Sequence, residues 1–282
     1  MKLLSCSSYD VCMKYLILAM ASASLLLAGC ESVRTTAPGA VGVDRKQVML
    51  VSEADVEQGA LKSYAEELGK ARDKGQLNTD AAQARRVRSI AERLIKQTPV
   101  FRPDAANWAW DVNVQTTNEL NAYCMPGGKI MVYSGLIDKL KLSDAELATV
   151  IGHEMGHALR EHSREAVSRA YAEQLGLGAL GALTGIGNSG VQLAGMITQV
   201  TFGLPRSRIQ ESEADRVGLE LMARAGYDPH AALTLWQKMG QASGGGGTPA
   251  FLSTHPSSST RQADLQALLP RVLPLYAAAS KP

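Results

Sequence analysis

Residues 151 to 162 read IGHEMGHALREH. His153 and His157 stand four apart, and on an α-helix positions i and i+4 share a face. Their imidazoles can then give two nitrogens to one metal ion. Glu154 lies about 100° round the helix from His153. It can reach a water on that ion without competing as a ligand. This H-E-x-x-H pattern specifies only three positions in five, so it needs a real helix and further donors to carry weight. The competing reading is a surface helix with two incidental histidines.

The flanking residues supply the helix. Ser143-Asp144-Ala145-Glu146 forms a capping box: the serine caps, and the glutamate three later reaches back to the cap amide. The helix it opens runs through Leu147, Val150 and Ile151 into the histidine pair. Gly156 keeps bulk off the helix surface near the site. A catalytic metal of this kind takes three protein ligands and leaves one position open, so a third donor must come from elsewhere. The best candidates are Glu211 and Asp215, which are i and i+4 on a second helix in RIQESEAD. One carboxylate can bind the metal while the other sits behind a ligand and orients it. Taken alone, that stretch reads better as a solvated acidic helix start.

The other elements follow from periodicity and punctuation. Residues 53 to 75 and 79 to 97 have helical spacing, with Asn78-Thr79-Asp80 as a cap between them and Thr98-Pro99 as a stop. Residues 108 to 114 and 129 to 133 alternate as strands and are expected to form at most a small antiparallel sheet. Pro126-Gly127-Gly128 marks a turn in the segment between them. Further helices are expected at 207 to 225, 229 to 241 and 260 to 269, and a loop at 242 to 249. From Gln174 to Pro205 no residue is charged. That length permits a membrane span, but the stretch contains eight glycines. It is read as two loosely packed helices broken at Gly187-Asn188-Ser189-Gly190. The fold class is α+β, mostly α.

The whole chain narrows the function. It has 282 residues, 45% of them apolar, with a formal charge of +2. A sizeable core is available, and without a Lys/Arg-rich run nucleic acid is excluded as a partner. Residues 13 to 30, MKYLILAMASASLLLAGC, have the lysine, apolar run and small residues of a secretory signal. Residues 1 to 12 lack that character, which makes Met13 an alternative start. The expected organisation is a signal at 1–29, a tether at 30–50 rich in Thr, Pro and Gly, and one domain at 51–282. Only Cys30 and Cys124 follow the cut, so neither a disulfide framework nor a four-cysteine metal site is available. Cys124 is expected as a small buried apolar residue.

Two resemblances extend this reading. Cysteine directly after Leu27-Ala28-Gly29 makes the leader resemble a bacterial lipoprotein signal, which implies lipid on Cys30. Glu31 after the cysteine implies the outer membrane, periplasmic face. HEMGH, then ESEAD-RVG, then STHP resembles the gluzincin family of HtpX-like, Oma-like and CAAX-prenyl-protease-like metallopeptidases, whose pattern is HExxH followed later by ExxxD. NAYCMPGGKIMVYSGL and FLSTHPSSSTR are similar to the same family.

The resemblance implies a zincin-like domain with the sheet beside the HExxH helix. It implies one Zn2+ on His153, His157 and Glu211, with Glu154 as general base and Asp215 supporting a ligand histidine. Asn121, Ala122 and Tyr123 become the edge strand that pairs with a peptide backbone. His255 is left as an oxyanion donor, a fourth ligand or a loop-shaping residue. His162 is expected to be solvated, and His230 to be structural. The implied activity is endoproteolysis of unfolded or misfolded envelope proteins, with outer-membrane assembly machinery as a possible partner. The alternative is a periplasmic chaperone or assembly factor with a latent or structural zinc.

Overall fold

The computed structural model describes residues 31–178, 190–243, 249–256 and 259–282. The leader, including Cys30, and the break at 187–189 lie outside the described residues.

The domain is built around one helix. The capping box at Ser143 and Glu146 forms as expected, and starts the helix Asp144–Leu159. Residues 146 to 159 of it are all buried. A helix buried on every side needs partners on every side. On one side lie Ala81–Ile95, capped by Asp80 through the amides of Ala82 and Gln83, and the sheet. On another lies Arg208–Arg224, opened by a second capping box at Ser207 and Gln210. This partner approaches backbone to backbone. A Cβ on Gly218 would stand 2.7 Å from the carbonyl carbon of Gly152 and from the His153 nitrogen. One on Gly156 would stand 2.8 Å from the Ala214 carbonyl oxygen. Gly156 therefore serves helix contact rather than clearing the site itself.

The remaining described helices are Glu53–Asp73, Ser134–Lys139, His162–Gly178, Gly190–Phe202, Ala231–Ser243, Ala250–Thr254 and Ser259–Ala278. No helix among the described residues is long and apolar enough to cross a membrane.

The sheet corrects one expectation. Strand β1 (Asp111–Gln115) and strand β3 (Lys129–Tyr133) pair parallel, with Asp111 opposite Lys129 and Gln115 opposite Tyr133. The antiparallel pair is β3 with the intervening strand β2 (Ala122–Met125). The reason is the turn at Pro126-Gly127-Gly128. Gly127 and Gly128 both take positive φ, 73° and 78°, and the chain reverses there. That reversal sends β3 back in the direction of β1. The order is β1-β3-β2, so β2 is an edge among the described residues. Both faces of β2 are covered: Ala122 and Cys124 face the main core, while Tyr123 and Met125 join Tyr64, Tyr133 and Ile197 in a second cluster.

Residues 31–49 form a strap on the domain, closed by strands β4 (Glu31–Val33) and β5 (Gln47–Met49). Val41, Val43 and Met49 are buried. Burial alternates along 41–49, but the inward position 47 is Gln and the exposed position 48 is Val, so the apolar residues themselves do not alternate and the composition reads as linker. The strap wraps the buried Arg160. That guanidinium donates to Thr35, Thr36 and the Arg45 carbonyl, and the Gln47 amide donates to the Arg160 carbonyl at 2.7 Å. Arg45 pairs with Glu165 and Glu213.

Burial raises the Glu165 carboxyl, but Arg45, Gln210 and Gln47 overcome it and hold it down at about 2 against an ordinary 4.5. A depressed carboxylate stabilises fully above its unfolded value and loses that contribution as pH falls through the folded one. The strap is therefore expected to loosen as pH drops from 4.5 toward 2. Hydrogen exchange of a peptide covering 31–49, corrected for intrinsic rates, should accelerate in that window, and a pH-independent rate would refute the linkage.

Candidate active site

Three chain segments meet at the histidine pair. His153 and His157 come from the central helix, and their Nε2 atoms face each other at 3.1 Å. Glu211 comes from Arg208–Arg224, with Oε1 3.3 Å from His157 Nε2 and Oε2 3.5 Å from His153 Nε2. His255 follows the short helix Ala250–Thr254 and stacks on Phe251. Its Nδ1 lies 3.2 Å from His153 Nε2 and 3.0 Å from Glu211 Oε1. All four side chains are buried, and one ligand atom from each lies within 4.8 Å of the others.

The donor set fits a metal ion. His153 Nδ1–H donates to Asp215 Oδ1 at 2.9 Å, which leaves a lone pair on Nε2. His157 Nε2 and His255 Nδ1 point at the same place. Converging lone pairs and a buried carboxylate need positive charge between them. Without a metal, a proton meets part of that need. Burial pulls the His153 imidazole down, yet Asp215 and Glu211 carry it up to about 9. His157 is driven well below its ordinary value, by burial first.

Asp215 sits behind His153. Arg261 holds Asp215 through two contacts of 2.7 Å, reaches Glu211 Oε2 at 2.7 Å, and lies over the Trp236 ring. Glu154 Oε1 is buried, accepts no hydrogen bond, and has His255 Nε2 3.4 Å away. The buried guanidinium of Arg206 keeps Nε and Nη1 unpartnered and feels the charges of Glu154 and Glu211. The arrangement can bind a cation, hold a free carboxylate beside it, and offer donors to a developing negative charge.

The model of Peptidase family M48 matches residues 81–269, a stretch that contains every group of this cluster. The chain belongs to peptidase family M48. It is 42% identical over 153 residues to mitochondrial metalloendopeptidase OMA1 of Arabidopsis thaliana, covering 54% of this chain and 30% of that protein. It is 29% identical over 256 residues to metalloprotease YcaL of Escherichia coli, covering 87% and 93%. Against metalloprotease LoiP of the same organism it is 28% identical over 250 residues, covering 87% and 92%. The chain thus spans half or less of the OMA1 relatives it matches, but most of the two bacterial ones.

Within this M48 domain, Ala122 and Tyr123 lie in the edge strand β2, and Asn121 precedes it with its carbonyl accepting from Tyr133. The Phe251 amide donates to the Leu120 carbonyl, so the loop carrying His255 is fastened beside that edge. Cys124 is buried, and burial pushes its thiol well up. His230 is exposed and bonded to Asp228.

His162 corrects the expectation of a solvated ring. It is fully buried, with Nδ1 2.8 Å from His157 Nδ1 and Nε2 2.9 Å from Glu213 Oε2. His162, Glu213, Arg261 and Arg206 were not singled out by spacing. Only the polar run Arg160-Glu161-His162 after an apolar helix hinted at one of them.

Arg261 compensates two buried carboxylates. Removing one partner of such a group leaves uncompensated buried charge, at a cost of about 3–5 kcal/mol. Arg261→Gln is expected to lower the stability of the metal-free chain by about that much in urea denaturation. A loss under about 1 kcal/mol would mean the pairing is of the weak, surface kind.

Proposed function

We propose that this chain is a zinc-dependent endopeptidase of the bacterial cell envelope. The carrying observation is the buried His153, His157, Glu211 and His255 cluster with the unpartnered Glu154 carboxylate beside it. His153, His157 and Glu211 are the zinc ligands, and Asp215 orients His153. When bound, zinc supplies a Lewis acid that brings water's pKa toward about 7 and polarises a carbonyl. Glu154 takes the proton of the attacking water and returns it to the leaving amine. The free Nε and Nη1 of Arg206 donate to the carbonyl oxygen as negative charge develops there. Ala122 and Tyr123 hold the substrate main chain by strand addition, which grips backbone with little demand on sequence. That suits misfolded or stalled envelope proteins as substrates, and the E. coli metalloproteases YcaL and LoiP support a bacterial setting.

A second reading has its own observation. His255 Nδ1 occupies a fourth donor position, and four protein ligands make a closed site. The chain would then be latent, or a chaperone or assembly factor with structural zinc.

Zinc content and casein cleavage of residues 31–282 separate the readings. Wild type should hold one zinc and cleave. Glu154→Gln should hold one zinc and lose about 10²–10⁴-fold in rate. Loss of zinc in that variant, or retained cleavage, would contradict the role of Glu154. Zinc without cleavage in wild type, restored in His255→Ala, would indicate latency; absence of cleavage in both would favour the chaperone.

Lipid on Cys30 rests on the LAGC sequence, an outer-membrane, periplasmic location on Glu31 after it, and both are part of the same proposal. Cys30→Ala should move the protein from the membrane fraction to the soluble fraction. Unchanged membrane association would remove the lipid anchor from this reading.

A further inference from the structure

We propose that His162, backed by Glu213, is a positioning residue that fixes the tautomer of His157 and aims its Nε2 lone pair at the metal. This inference rests on the reading of His153, His157 and Glu211 as metal ligands.

The local chain conformation brings the ring to His157. Five residues along a continuous helix is about 500°, so His162 would stand some 140° away from His157. The central helix instead ends at Leu159, and Glu161 takes a left-handed φ of 51°. A non-glycine residue holds that conformation only when its surroundings impose it. Here Arg102 Nη1 at 2.6 Å and Arg164 Nη1 at 2.8 Å hold the Glu161 carboxylate. The next helix then starts at His162 and folds its ring against His157.

The proton assignment has one self-consistent form with neutral rings. The Glu213 carboxylate only accepts, so His162 Nε2 carries a hydrogen and donates to Oε2. His162 Nδ1 is then a lone pair. It accepts from His157 Nδ1–H across 2.8 Å. His157 Nε2 is left as a lone pair facing His153 Nε2, Glu211 and His255. Both rings are buried, so bulk water does not replace His162 as acceptor. Glu213 is itself held by Arg45 at 2.8 and 3.0 Å and by Arg160 at 3.3 Å. The two ligand histidines are thus supported differently. His153 donates straight to a carboxylate, whereas His157 donates to a neutral ring that relays a carboxylate.

Partners of this type change metal affinity by about 10–100-fold when removed. His162→Phe keeps an aromatic ring and deletes the acceptor. His162→Gln restores an oxygen that can accept and a nitrogen that can donate. Zinc affinity is measured by competition with a chelator of known affinity, beside the thermal midpoint of each metal-free variant. The expected result is 10–100-fold weaker zinc binding for His162→Phe, with recovery of at least part of it in His162→Gln. A structural role alone would lower both midpoints without that ordering of affinities.

Nitrogen-15 NMR of the imidazoles in zinc-loaded wild type gives a second readout, needed if His162→Phe does not fold. His157 should show Nδ1–H and His162 should show Nε2–H. Unchanged zinc affinity in a folded His162→Phe, or a hydrogen on His162 Nδ1, would overturn the positioning role while leaving the ligand set intact. A wild type that binds no zinc would overturn both.

Discussion

Everything at this site depends on two helices whose backbones nearly touch. Gly152 and Gly156 on one, and Gly218 on the other, remove the side chains that would otherwise hold the axes apart. Helices with larger residues at the contact sit about 8–10 Å apart. The closeness is what lets the carboxylate of Glu211 reach two imidazoles that come from the opposite helix. All four side chains of the cluster are buried.

A buried cluster of charged groups is unstable unless its charges have partners. That requirement accounts for the outer residues better than any local pattern does. Arg261 answers Asp215 and Glu211, Arg45 and Arg160 answer Glu213, and Arg102 answers Glu161. Each arginine comes from a different part of the chain. The strap is recruited by the same requirement: its Arg45 lies among Glu165 and Glu213, and its backbone and hydroxyls satisfy Arg160. A segment whose composition reads as linker is thereby part of the surroundings of the candidate metal cluster.

The division between what was legible and what was not follows from range. The capping box at Ser143, the i and i+4 histidines, and the Glu211–Asp215 pair all depend on helical geometry within a few residues. Those features, and the mostly helical α+β fold, could be read directly. The parallel pairing of 111–115 with 129–133 depends on where a hairpin lands, and alternation carries no direction. His162 depends on one backbone angle at Glu161, which no residue type at that position announces. Arg261 and His255 reach the site only through tertiary packing of the last helices, so no local spacing points to them; His255 came forward only through the resemblance carried by STHP.

The charge balance of the site also explains why the two histidines proposed as ligands need unequal support. His153 sits between Asp215 and Glu211, and this negative surround makes it the natural place for a proton when no metal is present. A second direct carboxylate behind His157 would invite a second proton and strengthen competition with the metal. A neutral ring between His157 and Glu213 keeps the orienting hydrogen bond while moving the full negative charge one imidazole further away. Burial then favours the neutral form of both rings: His157 lies well below its ordinary value, and His162 is pulled down to about 4, burial being the first cause in each. The geometry therefore satisfies two demands that conflict in a simpler design: a fixed ring orientation, and a nitrogen kept free of protons. The left-handed turn at Glu161 is the local backbone strain that makes this arrangement possible, and Arg102 and Arg164 are the contacts that hold it.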